Sequence, residues 1–181
     1  MLMTQDGFLS LLETHDHLDE LFLLHQEALV MMHWPLASEL FEAYRNLLDL
    51  HIAQEEQVLL PLFERAGSVP RAPVVLFTGQ HRKLVSHLDR IATALSDAPQ
   101  SEEPRRQVIA LLELETAFKH LNEHHDGAEV AYFYPTLEKL ATKDELANVV
   151  KQCWDEWNNM RAGVLRLVAR AQQTMDATMP R

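Results

Sequence analysis

Two stretches of the chain carry the residue types that bind cations, at matching spacing. His51 is followed by Glu55 and Pro61, and His125 by Glu129 and Pro135, so both read H-x-x-x-E-x-x-x-x-x-P. The match extends backwards: Leu47 and Leu121 stand four residues before each His, and Tyr44 and Phe118 seven before. Of the ten histidines only these two have Glu at +4. Positions i and i+4 of an α-helix share a face, about 6 Å apart along the axis, so each His/Glu pair can meet one centre.

The helices that precede these motifs repeat as well. Leu11, His15, Leu18 and Phe22 run parallel to Phe77, His81, Leu84 and Leu88. Each half of the chain therefore sets a lone His on one helix before a His/Glu pair on the next. Burying four imidazoles and two carboxylates together costs several kcal/mol per unpaired charge, which a bound cation offsets. Nitrogen and oxygen ligands suit iron, manganese or zinc, and the single cysteine, Cys153, rules out a thiolate zinc site. Glu55 and Glu129 each have two oxygens and can bridge two ions about 3.5 to 4 Å apart. Each ion then takes two His nitrogens and two bridging oxygens, reaches five with a shared oxo or hydroxo group, and keeps one place for dioxygen, peroxide, nitric oxide or azide.

These side chains need long, amphipathic elements to carry them. Breaks fall at Trp34-Pro35, at Ala66 to Pro73, at Ser96 to Pro99 and around Ala141 to Lys143. The five segments between them carry apolar residues at three- and four-residue spacing, which predicts helices over about 8–32, 36–66, 74–96, 101–140 and 142–175. Gly67 offers a C-terminal cap, Ser101 an N-terminal one, and Thr142 with Glu145 a capping box. Short links favour antiparallel neighbours, so the expected fold is all-α: an up-and-down four-helix bundle over 1–140 with an appended helix over 141–181. The stripe Leu146, Val150, Cys153, Trp157, Met160, Val164, Leu167 and Ala171 steps by four and three, a heptad seam. It is expected to pack on the outside of its own bundle; a homodimer through this helix is the alternative.

Composition narrows the partners. Sixteen basic and twenty-seven acidic residues give −11, which favours neither nucleic acid nor an anionic membrane. The N-terminal MLMTQDGFLSLLETHD has no basic n-region and no unbroken apolar stretch. With one cysteine and no run of about 18 apolar residues, the expectation is a cytoplasmic protein in a reducing compartment.

Through the two His/Glu/Pro motifs and the two lone histidines, the chain resembles the hemerythrin-like HHE cation-binding family over roughly residues 8–140. The resemblance implies a four-helix bundle around a non-haem di-iron centre. His15, His51, His81 and His125 would be ligands, and Glu55 and Glu129 the bridging carboxylates. The oxygen-carrying hemerythrins place H-x-x-x-H on the third helix and H-x-x-x-x-D on the fourth. Here Val85 stands four residues after His81 and Val130 five after His125. The departure favours binding of dioxygen, peroxide or nitric oxide in sensing, iron homeostasis or stress defence over oxygen carriage. The alternatives are a di-iron oxidoreductase, for which the sequence reveals no proton donor or substrate cleft, and a zinc-stapled or metal-free helical interaction module. Ferritin-like E-x-x-H spacing occurs at none of the histidines.

The remaining polar residues near the motifs read as follows. His120 and His124 lie on another face and are expected at the surface, and His17, between Asp16 and Asp19, on a solvated stripe. Asp19 is the residue considered for orienting His15, and Tyr132 for donating to a bound anion. Glu56, turned about 100° from Glu55, reads as a surface acid. Gly127 reads as room for close packing, and Pro61 and Pro135 as bends just past the site.

Overall fold

A computed structural model describes residues 7–178; the first six residues of the N-terminal stretch read above lie outside them. Among the described residues there is no strand. Helix α1 spans 8–30, opening as a 3-10 turn Phe8–Leu12 and continuing as Glu13–Val30. Met32, at φ 55°, reverses the chain, and the His33 Nδ1 accepts from the Leu36 N–H at 3.3 Å, in the place of the usual short polar cap. Helix α2 spans 34–66 with Pro35 in its first turn, and Gly67 ends it at φ 69°, a left-handed conformation glycine adopts without strain.

Helix α3 is Val74–Asp97, and α4 spans 104–140. The expected start at Ser101 is three residues early: Pro104 opens the helix, and Ser101 Oγ instead accepts the Glu103 N–H at 3.1 Å in the turn before it. Helix α5 is Lys143–Thr178. Its capping box forms as expected, with the Thr142 N–H on Glu145 Oε2 at 2.9 Å and the Glu145 N–H on Thr142 Oγ1 at 3.3 Å.

Both motif helices widen at the site. Glu55–Leu59 and Glu129–Phe133 are π turns, in which the Leu60 N–H reaches the Glu55 carbonyl and the Tyr134 N–H the Glu129 carbonyl. Each stands just ahead of a proline, whose missing N–H could not continue the α-helical ladder. At Pro61 and Pro135 the hydrogen-bond ladder thus relaxes as a π turn ahead of each proline, a form that the motif itself does not spell out.

Helix α1 packs on α2, α3 on α4, and the ring closes through α2 with α3 and α1 with α4. Helix α5 lies over α1 and α2. It buries Val150, Cys153, Trp157, Ala171 and Met175, so the seam packs on its own bundle, while Met160 in the middle of the stripe stays 41% exposed. Trp157 stacks on His17, its indole N–H 3.3 Å from His17 Nδ1. His17 is therefore half-buried under α5 rather than on a solvated stripe, because the covering helix supplies an aromatic face. No described helix is long and apolar enough to cross a membrane.

The core is two apolar clusters. One holds Leu18, Phe22, Tyr44, Leu48, Leu84 and Phe118; the other holds Leu11, Leu59, Phe63, Phe77, Phe133 and Tyr134. His15 sits between Leu11 and Leu18 along α1, His51 between Leu48 and Leu59 along α2, and His81 between Phe77 and Leu84 along α3. With His125 between Phe118 and Phe133 along α4, the four ring-bearing turns form a polar layer with apolar packing above and below, which lowers the local dielectric around it.

Candidate metal centre

All six side chains singled out from the sequence meet in this layer. His51, Glu55, His81, His125 and Glu129 are buried, and His15 is nearly so. Two groups of four form, His15 with His51, Glu55 and Glu129, and Glu55 with His81, His125 and Glu129. In each group one ligand-type atom per residue lies within 4.8 Å of the others. The two glutamates belong to both groups, the arrangement expected of carboxylates shared by two centres.

The contacts are those of atoms converging on a point rather than of an ordinary hydrogen-bond network. His15 Nε2 faces His51 Nε2 at 3.1 Å, and His81 Nε2 faces His125 Nε2 at 3.2 Å. Two imidazole nitrogens held about 2.1 Å from one divalent ion at right angles would stand about 3 Å apart. Neither oxygen of the fully buried Glu129 receives a well-aimed hydrogen bond from a described residue. Yet His125 Nε2 is 2.8 Å and His15 Nε2 3.3 Å from them. Buried carboxylate oxygens are rarely left so. Nitrogen and oxygen donors with orphaned lone pairs facing inward fit a cation.

The other ring nitrogen of each His faces a polar group of the neighbouring helix, at hydrogen-bond distance for His51, His81 and His125. Thr14 Oγ1 lies 3.4 Å from His51 Nδ1, Glu56 Oε1 2.9 Å from His81 Nδ1, and Gln80 Oε1 3.2 Å from His125 Nδ1. Asp126 Oδ1 stands 3.9 Å from His15 Nδ1. Each of these four partners is the chain neighbour of a clustered residue, and they run round the bundle in order, α1 to α2, α2 to α3, α3 to α4 and α4 to α1. An acceptor on Nδ1 sets the tautomer that turns the Nε2 lone pair inward.

Electrostatics follow from this crowding. Burial alone would depress every imidazole, and it holds His51 down at about 3. The Glu129 carboxylate outweighs burial at His15 and at His125, raising both to about 9, and Glu55 raises His81. Burial likewise opposes ionisation of Glu129, but His125 and His15 hold it well below the usual carboxylate range. Burial pushes Asp126 up to about 7 and the Cys153 thiol to about 12, so Cys153 offers no thiolate.

Near the motifs the structure puts neighbours in place of two residues considered from the sequence and corrects the reading of Gly127. The tyrosine at the cluster is Tyr134, not Tyr132: its hydroxyl donates to Glu55 Oε1 at 3.0 Å and its ring is fully buried, whereas Tyr132 is half-buried. The π turn takes one more residue per turn, so the position at +5 from Glu129 comes round to where +4 would lie. The carboxylate beside His15 is Asp126 rather than Asp19. Gly127 is exposed, and a Cβ there would meet nothing within 4 Å, so it makes no room for packing. Glu56 is a surface acid as read, 39% exposed, but it reaches inward to His81. His120 and His124 are exposed as expected. A further buried pair went unread: His25 Nε2 is 2.9 Å from Glu115 Oε1, and Gln26 donates to Glu115 Oε2 at 2.9 Å. It lies in the Phe22 cluster, apart from the six.

Comparison with known proteins gives one family. The hemerythrin HHE cation-binding domain matches residues 7–127. Among curated proteins, uncharacterized proteins of Mycobacterium bovis and of two strains of Mycobacterium tuberculosis are similar. Each is 25% identical over 153 residues, covering 81% of this chain and 59% of the relative. The chain thus spans about three fifths of the length of these relatives. No solved structure matches it.

Proposed function

The chain belongs to the hemerythrin HHE cation-binding domain family, and from that premise we propose that it is a non-haem di-iron protein that binds dioxygen, peroxide or nitric oxide in sensing, iron homeostasis or stress defence. His15 and His51 would hold one ion, His81 and His125 the other, and Glu55 and Glu129 would serve both. When bound, the iron pair would supply an open, redox-active position for a small ligand. The observation that carries this reading is the convergence of two facing imidazole pairs on two buried carboxylates, Glu55 and Glu129, that belong to both groups of four.

The chain's own residues prepare the site. Thr14, Glu56 and Gln80 fix the rings of His51, His81 and His125, and the apolar clusters on either side exclude water. Tyr134 fixes Glu55 by donating to one of its oxygens, leaving the other towards His81. Elemental analysis of anaerobically purified protein should find about two irons per chain, with a visible band that shifts on adding azide. Colourless protein that carries zinc or no metal would sink the reading.

Tyr134 also supports a second reading, a di-iron oxidoreductase, in which its buried hydroxyl, hydrogen-bonded to Glu55, would be the proton donor that sequence reasoning did not find. Tyr134→Phe, reconstituted to the wild-type iron content, should then abolish hydrogen peroxide turnover. Binding without turnover in the wild type would leave the binding reading alone.

A further inference from the structure

A cleft of about 300 Å³ opens between α1 and α4. The buried Phe22, Tyr44 and Phe118 line its depth, and Asp19, Lys119 and Glu123 are exposed at its rim. Asn122 and Asp126 line it too, and the same two residues border a second cavity of about 10 Å³, together with His15, His51 and His125. That volume is close to what one water molecule needs. Asn122 Nδ2 donates to Asp126 Oδ2 at 2.9 Å, so a single pair one turn apart on α4 stands between the open cleft and three of the six clustered side chains.

We propose that the α1–α4 cleft is the entrance by which small neutral ligands reach the centre, and that the Asn122–Asp126 pair is its constriction. This rests on the di-iron reading above. Among the described residues, three further clefts of comparable size border α5, and none of these shares a lining residue with the small cavity. Both gate residues are partly exposed, so their side chains can change rotamer without disturbing the core. The cavity behind them suits a diatomic rather than an organic substrate. At the exposed rim Asp19 and Glu123 set two carboxylates against the ammonium of Lys119, so an anion approaching the cleft meets a net like charge that a neutral molecule does not feel.

The test is the rate of ligand entry into iron-loaded protein, with nitric oxide on the ferrous form and azide on the ferric form. Asn122→Leu should slow both by roughly tenfold, the effect of about 1.4 kcal/mol of added barrier, with the equilibrium affinity unchanged. Asn122→Ala should speed both. Asn158→Leu, in an α1–α5 cleft, should change neither. Azide entry should quicken as salt screens the rim, while nitric oxide entry should not. Iron content is measured on every variant. A wild-type chain without iron overturns the di-iron reading, and this route with it. Iron-replete Asn122 variants with unaltered rates, or slowing by Asn158→Leu, overturn the route alone.

Discussion

Single side chains divide into those that hold the rings, those that only flank them and those that do neither. Glu56 belongs to the first group, because its 2.9 Å contact to His81 Nδ1 is the one charged acceptor at hydrogen-bond distance among the four ring partners. Loss of such a partner typically weakens metal affinity 10- to 100-fold. Glu56→Gln should therefore weaken iron binding on the order of tenfold in a competition titration with a chelator, while His120→Ala, exposed beside Glu123, leaves it unchanged. Gly127 belongs to the last group. A methyl there meets nothing and removes the backbone freedom of a helical glycine, so Gly127→Ala should stabilise the fold by about 1 kcal/mol in denaturant unfolding. A drop in stability would mean that the helix needs the glycine after all.

Whole elements explain why some of these residues escaped the sequence reading. The apolar periodicity was enough to place five helices, and the capping box at Thr142 and the glycine stop at Gly67 appeared where read. The π turns were not legible, because the motif shows the prolines but not how the ladder ahead of them relaxes. That relaxation swaps Tyr132 for Tyr134 at the cluster, which no α-helical wheel would do. Helix α5 shows the same division: its seam was plain, but its docking through Trp157 on His17 depended on which face of α1 stood opposite. Gln54, next to Glu55, donates to the Cys153 carbonyl at 3.0 Å and to Glu156 Oε2 at 3.0 Å, so α5 also braces α2 directly behind the cluster. Trp157 is fully buried, and Trp157→Ala should cost about 3 to 5 kcal/mol, read as a lowered denaturation midpoint. A change within experimental error would show that α5 is not part of the cooperative core.

The molecule as a whole couples its charge layer to pH. In the metal-free protein His15 and His125 have folded-state values of about 9 against an unfolded value of 6.5. Their pairing with Glu129 therefore contributes stability that is fully present below pH 6.5 and is lost as pH rises through 9. The melting temperature of metal-free protein should fall across that window. A bound cation replaces those protons, so its stabilising effect should grow over the same range, and the gap between loaded and metal-free melting temperatures should widen. A gap that is constant from pH 6.5 to 9 would count against protons and metal sharing these nitrogens. The sequence alone determined the all-α fold, the two-fold repeat and the identity of the six inward side chains, because helical periodicity and the i, i+4 rule act within a single segment. Which oxygens stay unpaired, which neighbour holds each ring, and which cleft leads inward were decided only when four helices closed around one layer. Those properties belong to pairs of atoms on different helices, and no spacing along one chain encodes the distance between them.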